Sequence, residues 1–513
     1  MSYVLGVDIG TTSTKAVLFD LNGRVIASHS VSYPLNQPHP SWAEQDPEEI
    51  LHAFVQSVKT AILKAGVSSD AIIGIGFSTA MHSLMVMDQD HRPLTPVITW
   101  ADSRSVEQAE RLKQMTEGTL FYRRTGTPIH PMSPLTKIMW LREQQPDLFQ
   151  RAAKFISIKE YVLHRLFGEY VVDHSIASAT GMFHLERKEW DEEIIDFLGI
   201  RDDQLSRLVP TTTVLKGMDQ SLAAEMNLHP DIPFVIGASD GVLANVGVGA
   251  TRPGEVALTI GTSGAVRTST DRPVTDEKGR IFCYALTEEK WVIGGATNNG
   301  GILMNWFRDQ FVKEDWEKVK QQVGNPFDLI LIEVQGIPAG AEGLLCLPFF
   351  TGERAPYWDA DMRGSFFGVN LRHGKAHFLR AILEGICFSL HSVTSVLEEL
   401  AGSIHEVRAS GGFVRSSVWL QILSDVLGKT VFVPQSPEAS ALGAAALVQL
   451  SLGEISDLEE VKKRISVSSE LLPDQNNHEV YRSLYAIYDQ LAHKMKDEFR
   501  QIADFQRSHE KRG

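Results

Sequence analysis

Two segments of this chain share one layout: an apolar run, a bend of Gly with Thr or Ser, and a second apolar run. They are YVLGVDIGTTSTKAVLF at residues 3–19 and EVALTIGTSGAVRT at residues 255–268. A supersecondary unit that recurs in this way implies two similar halves. At 513 residues the chain is long enough for two large cores and too long for one. Gly247, Gly249, Pro253 and Gly254 cluster just before the second copy and mark a boundary, so the expected halves are 1–246 and 247–513.

Within the first half, Tyr3–Val7 and Lys15–Asp20 read as strands, and the turn Leu21-Asn22-Gly23-Arg24 leads to a third strand over Val25–Val31. IIGIGFS at 72–78 and FVIG at 234–237 are short continuous apolar runs, as expected of strands covered on both faces. Helical spacing over Glu48–Lys64 and Pro134–Gln144 alternates with them, which predicts an α/β chain with mixed sheets flanked by helices. A third Gly bend, ASGGF at 409–413, separates an apolar stretch from a helical one. Apolar residues at helical spacing from Asn477 to Phe505 predict one long closing helix with a frayed end.

The formal net charge of −15 argues against sequence-independent binding to nucleic acid or anionic membrane, since both need cationic surface. The three cysteines, Cys283, Cys346 and Cys387, lack metal-ligand spacing and fit buried hydrophobes in a reducing compartment. No basic stretch precedes an apolar run at the start, and no run of eighteen apolar residues occurs, so the expected location is the cytoplasm.

The bend DIGTTSTK offers successive backbone N–H groups where Gly10 allows close approach, with the hydroxyls of Thr11, Thr12, Ser13 and Thr14 alongside. Such a nest holds phosphate oxygens. Asp8 would direct a carboxylate at the same phosphates, which a cation between them makes tolerable, and that cation would be a largely water-coordinated Mg2+. Read alone, the same residues also suit a plain hairpin turn capped by Asp. Two equivalent bends in two halves favour a nucleotide with one loop on each side of its phosphates. Asp240, in IGASDGVLANVG at 236–247, is either a carboxylate facing a ligand or a helix N-cap. Met81-His82 follows a strand at its carboxyl end, where open α/β sheets bind ligands, though a lone His is more often structural. Trp100, Asp102 and Arg104 follow another apolar run, and Arg104 taken alone reads equally as a surface ion pair.

DIGTTSTK, its echo TIGTS at 259–263 and Gly411-Gly412 resemble the nucleotide-binding elements of the actin-like ATPases and, within them, of the FGGY carbohydrate kinases. MSPLTKIMWLREQ at 132–144 resembles the first signature of that family. GSFFGVNLRHGKAHFLRAILEG at 364–385 resembles the second, including the His377 and Glu384 positions. The resemblance runs from about residue 3 to residue 450. STAMHSLMVMD (78–88), ITWADSRS (98–105), GTPIHPMSPLTK (126–137) and ASGGFVRSS (409–417) are similar to the gluconokinase branch rather than to the glycerol kinases. The third loop departs from many relatives, with Gly411-Gly412-Phe413 where a glycine triplet is common, and this leaves open which backbone unit meets adenine.

The resemblance implies two actin-like (ribonuclease H-like) domains with a cleft between them. It implies ATP and Mg2+ as cosubstrate and cofactor, and a small sugar acid as the other partner, with no nucleic acid or membrane partner; a homodimer is compatible with it. The activity implied is phosphorylation of D-gluconate at its C6 hydroxyl to 6-phospho-D-gluconate. Another sugar or polyol such as D-xylulose, or a non-kinase actin-like ATPase, stands as the alternative. Asp240 takes the place of the catalytic base and Asp8 that of the metal carboxylate. Gly10, Thr11, Thr12, Ser13 and Lys15, with Gly261 and Thr262, fall at the ATP phosphates, and Gly301, Gly411 and Gly412 near ribose and adenine. Met81, His82, His130 and Asp240 fall on the sugar side. Arg104 joins them as the expected partner of the gluconate carboxylate, because a guanidinium is permanently charged and planar.

Overall fold

The computed structural model describes residues 2–312, 331, 333–436 and 438–510. The chain forms two compact units that do not follow one cut. The first combines 1–252, 269–293 and 438–465, and the second combines 253–268, 294–437 and 466–513.

The first unit is built on a six-stranded sheet. Its strands are β1 (Tyr3–Ile9), β2 (Ser13–Asp20), β3 (Val25–Ser32), β4 (Ile72–Thr79), β5 (Val214–Leu215) and β6 (Phe234–Ser239), in the order β5-β6-β4-β1-β2-β3. β1 runs parallel to β4, and β4 to β6; the β1-β2 and β5-β6 pairs are antiparallel. In the second unit β7 (Glu255–Ile260), β8 (Gly264–Thr270), β9 (Glu406–Ser410), β10 (Val431–Pro434) and β11 (Val467–Leu471) run in the order β8-β7-β9-β10-β11. β7, β9 and β10 are mutually parallel in sequence, with antiparallel partners at the β7-β8 and β10-β11 pairs. The order β2-β1-β4-β6-β5 is therefore repeated strand for strand. This is the actin-like, ribonuclease H-like arrangement, and both Gly bends, 10–12 and 261–263, span three residues.

Strand alternation assigns the faces of β1. Leu5, Val7 and Ile9 pack with Ile50, Phe54 and Val58 of helix α1 (Pro47–Ala65). That helix is started by Asp46, whose side chain accepts from the Glu48 amide, and is stopped at Gly66 in the left-handed region. The other face carries Val4, with Val17 and Phe19 from β2, against helix α2 (Asp240–Val248) and helix α3 (Ala439–Ser451). α3 reads ASALGAAALVQLS, and its small residues let main chains approach. A Cβ on Gly6 would sit 2.0 Å from the Ala441 carbonyl oxygen, and one on Gly443 would sit 2.1 Å from that of Leu243.

This contact supplies a direct test. Gly6→Ala drives a methyl group into the backbone of α3, so unfolding should become easier by about 1–3 kcal/mol or more, read as a fall in the urea midpoint. Gly412→Ala is the control, because its Cβ would meet nothing within 4 Å, and its midpoint should stay at the starting value.

Among the described residues one helix, Lys375–Ala401, is long and apolar enough to cross a membrane, and 83% of its apolar window is buried inside the structure. The three cysteines are unpaired and buried. The closing segment expected as one helix is two, Gln475–Lys494 and Lys496–Glu510, joined at Met495. Each buries its own face, with Tyr481, Tyr488 and Ala492 on the first and Phe499 and Ala503 on the second.

Candidate active site

Three parallel strands of the first unit end side by side, with Ile9 and Ser239 both in register with Thr79. Beyond these ends lie the Gly10 bend, the Met81-His82 loop and Asp240, at the edge where α/β sheets take ligands. The tight approach of α3 decides which side chains meet. Asp8 shares a face with Gly6, two residues earlier on β1, so its carboxylate turns toward the side where α2 and α3 begin.

Asp8 accepts from the Ser78 hydroxyl at 2.6 Å and lies opposite Lys15 on β2. Lys15 in turn pairs with Glu438, the residue before α3. Burial pushes the Asp8 carboxyl up to about 7, and the neighbouring carboxylate of Asp240 is the next cause; Glu438 adds to the rise, while Ser78 and Lys15 oppose it. Two acids held together in this way favour a divalent cation, which would relieve both burial and repulsion. Two carboxylates are a donor set that would suit a Mg2+ ion keeping most of its water.

Asp240 is the first residue of α2, and Ser239 occupies the N-cap position without a side-chain capping bond. The Asp240 carboxylate accepts from the next amide, Gly241, at 2.6 Å. Its backbone is held on both sides: the Ser239 amide donates to the Ser175 hydroxyl at 3.2 Å, and the Ser440 hydroxyl donates to the Asp240 carbonyl at 3.2 Å.

The first bend is oriented by its carbonyls. Tyr33 donates its hydroxyl to Gly10 O at 2.6 Å, Gln45 donates its amide to Thr11 O at 2.6 Å, and the Tyr33 amide donates to Thr12 O at 3.1 Å. In a trans peptide the N–H opposes the C=O, so the Thr11 and Thr12 amides face away from these anchors, as a phosphate nest requires. The Thr11 hydroxyl accepts from the Trp100 indole at 2.8 Å and keeps its own proton to donate. Lys15 differs from the expectation that it reaches phosphate, since its ammonium is paired with Glu438.

In the second unit, the Gly261 amide donates to Ser263 O at 2.9 Å, and the Gly301 amide donates to Gly261 O at 2.7 Å. The bend is thereby fastened to the start of helix Ile302–Phe311. A Cβ on Gly301 would lie 2.7 Å from Gly261 O, so Gly301 has a packing reason to be glycine. Gly411 has φ +100°, and its Cβ would lie 2.3 Å from Ile260 O. Gly411-Gly412 thus ends a strand beside the one that leads into Gly261-Thr262, with Thr259 in register with Ser410. Thr262 and Gly412 are exposed.

On the sugar side, His82 has φ 66° and a buried ring. Its Nδ1 lies 2.7 Å from Ala179 O and its Nε2 3.4 Å from the Tyr284 hydroxyl. Nδ1 therefore carries the proton and donates, and the ring is engaged by protein on both nitrogens. His130 accepts from the Met132 amide through Nδ1 at 3.2 Å, which makes Nε2 its protonated nitrogen in the neutral ring. Met81 is half-buried beside them.

Arg104 departs from the role expected of it. Its Nε and Nη2 donate to the two oxygens of Asp102 at 2.9 and 2.8 Å, Nη2 also reaches Glu44 at 2.6 Å, and the guanidinium lies 3.8 Å from the Trp42 ring centre. The fork that was to hold a substrate carboxylate is closed on Asp102 and Glu44, because residues 44–45 pair with 97–98 and bring Glu44 beside it.

Several residues of the site carried no assigned role in the sequence reading: Ser78, Tyr33, Gln45, Glu438 and Lys137. Lys137, fully buried in helix α4 (Pro134–Gln144), is the one with a local signal, a single cation inside an apolar helical stretch. Burial lowers its pKa to about 7, with Asp102 opposing that shift and Arg104 adding to it.

A half-buried pair of acids at the carboxyl ends of parallel strands, a phosphate-type nest beside them and a repeated actin-like sheet fit a phosphotransferase. Models of the N-terminal and C-terminal domains of the FGGY family of carbohydrate kinases match residues 3–247 and 256–451. The chain is 47% identical over 507 residues to the gluconokinase of Bacillus subtilis (strain 168), covering 99% of this chain and 98% of that protein. Among solved structures it is similar to the gluconate kinase of Lactobacillus acidophilus, with TM-score 0.91 and 34% identity over 96% of this chain and 98% of that one. It is equally similar to the ligand-bound xylulose kinase of Lactobacillus acidophilus, with TM-score 0.92 and 34% identity over 98% of this chain and 100% of that one. The chain belongs to the FGGY family of carbohydrate kinases, and it is a carbohydrate kinase.

Proposed function

We propose that this kinase transfers the terminal phosphoryl group of ATP to the C6 hydroxyl of D-gluconate, giving 6-phospho-D-gluconate, and that it does so in the cytoplasm. The observation that carries the acceptor is the 47% identity to a gluconokinase over nearly the whole chain. The backbone resemblance alone does not choose, since the gluconate and xylulose kinase structures match it equally well. D-Xylulose is the second reading for that reason.

In this reading Asp240 orients the acceptor hydroxyl and accepts its proton late, because phosphoryl transfer passes through a loose transition state in which positioning and charge neutralisation dominate. Asp8 would hold Mg2+, directly or through water. The ion, when bound, neutralises charge on the phosphate oxygens. The outward amides of Thr11 and Thr12 take phosphate oxygens, and Gly10 and Ser13 shape that bend. Gly261, Thr262, Gly301, Gly411 and Gly412 belong to the ATP site in the same reading, and Met81, His82 and His130 border the acceptor. Residues 1–246 then carry the acceptor site and first phosphate loop, and 247–513 the second loop and the adenosine site.

ADP release measured with D-gluconate, D-xylulose, glycerol and a neutral hexitol tests the proposal. Turnover should be fastest with gluconate; a preference for xylulose would replace the acceptor, and ATP hydrolysis indifferent to every acceptor would remove the kinase reading of the site. For the metal, Asp8→Asn should shift the Mg2+ concentration for half-maximal rate upward by about tenfold or more, on the order of one lost charge-assisted contact. An unchanged Mg2+ titration in that variant assigns Asp8 to structure alone.

A further inference from the structure

Lys137 is a fully buried cation, and its contacts at hydrogen-bond distance are main-chain carbonyls. Its ammonium donates to His82 O at 2.7 Å, to Thr99 O at 2.7 Å and to Ile98 O at 3.4 Å. Taking an ammonium out of water is costly unless all its donors find acceptors, and a methionine of similar length would fill the same space without that cost. What the ammonium does that a thioether cannot is bind two chain segments at one point.

The two segments are the Met81-His82 loop after β4 and the stretch that runs from Val97 into Trp100. They are already laced by Leu84 and Ile98, whose amides and carbonyls exchange bonds at 2.9 and 2.8 Å. That lacing stops short of the tips. Beyond it, His82 adopts φ 66°, a backbone state that a side-chain-bearing residue holds only when its surroundings impose it. Contacts that hold it here include the Lys137 bond to the His82 carbonyl and the bond from the ring to Ala179 O. On the other segment, the Thr99 carbonyl belongs to the peptide that leads into Trp100, so its orientation sets where the indole starts. That indole reaches the phosphate bend at Thr11.

We propose that Lys137 is a positioning residue for the acceptor site: its ammonium clamps the carbonyls of His82 and Thr99 and thereby sets the spacing of the two segments that present Met81, His82 and Trp100. The clamp rests on the reading above that Met81 and His82 border the acceptor, and extends it to the facing segment that carries Trp100. It acts first on acceptor binding, because its bonds go to the two segments themselves; it reaches the phosphate bend only at one remove, through the Trp100 indole, and that bend keeps its own anchors at Tyr33 and Gln45.

The test is steady-state kinetics of the full chain with Lys137→Met and Lys137→Arg. Wild-type turnover is measured first across the acceptor panel. If gluconate is not the preferred acceptor, the acceptor assignment falls, and the variants are assayed with whichever acceptor the wild type uses. In Lys137→Met the acceptor KM should rise about tenfold to a hundredfold, the scale on which a displacement of about 1 Å acts. The ATP KM and the slow acceptor-independent ATP hydrolysis should stay within about twofold, a range below what one lost hydrogen bond produces. Lys137→Arg retains the charge but is longer and planar and cannot place one centre between the same carbonyls, so it should show the same one-sided rise even if Lys137→Met fails to fold. A wild-type acceptor KM in either folded variant, or equal rises in both KM values, overturns the clamp. Failure of both variants to fold also overturns it and assigns Lys137 to the core.

Discussion

Replacing Asp240 with Asn is expected to leave ATP binding intact and to lower kcat for acceptor phosphorylation by about 10²- to 10⁴-fold, the range for loss of a general base. The substitution is nearly isosteric, and the amide oxygen can still accept from Gly241, which now donates to the carboxylate at 2.6 Å. The backbone around it is anchored by Ser175 and Ser440, so the start of α2 should stay in place. What disappears is the proton acceptor and one negative charge. Removing that charge also removes one of the forces that raise the Asp8 pKa, so Asp8 ionises more readily in the variant, and Mg2+ binding has no reason to fail. The measurements are kcat with saturating gluconate and the ATP dissociation constant by calorimetry. A kcat near wild type would leave Asp240 as a structural residue at the head of its helix.

The second large effect is expected at Arg104. Truncation to Ala leaves Asp102, buried, and Glu44, nearly so, without their cation, and breaking a buried pair from one side costs about 3–5 kcal/mol. Stacking on Trp42 and Trp140 is lost with it. The Asp102 carboxylate also holds the Ala43 amide at 2.7 Å, and residues 43–45 lead to Gln45, which anchors the phosphate bend through Thr11 O. Loosening this cluster should therefore lower kcat/KM by similar factors for gluconate and for a neutral polyol, together with a marked fall in the urea midpoint. Arg104→Lys should recover only part of the loss, because an ammonium can neither fork onto Asp102 nor stack as a plane. A loss confined to gluconate, with unchanged stability, would instead return Arg104 to direct contact with the substrate carboxylate.

The two positions show what a single sequence can convey about a site. The positions of Asp8, Gly10 and Asp240 at strand ends and a bend were legible because such features follow from local pattern. Arg104 was placed in the right neighbourhood but its direction was not legible. Its partners, Glu44 and Trp42, come from a segment some sixty positions earlier in the chain, brought alongside by the pairing of residues 44–45 with 97–98. Lys137 could be seen as a cation in an apolar stretch, but its acceptors are carbonyls, which carry no residue identity to read.

Periodicity and bend chemistry determined from sequence alone the recurring strand-bend-strand units and helix Pro134–Gln144 to its last residue. These depend on φ/ψ preference and on the alternation of faces, both set within a few residues. Only the tertiary structure decided that residues 438–465 return to the first unit and that the closing segment breaks at Met495. It alone also brought Asp8 beside Asp240 and Glu438. Those outcomes depend on how closely α3 can lie on β1 and α2, which Gly6 and Gly443 permit only because Ala441 and Leu243 present bare main chain to them. Packing of this kind is a property of pairs of surfaces, and neither surface shows in its own sequence which other it will meet.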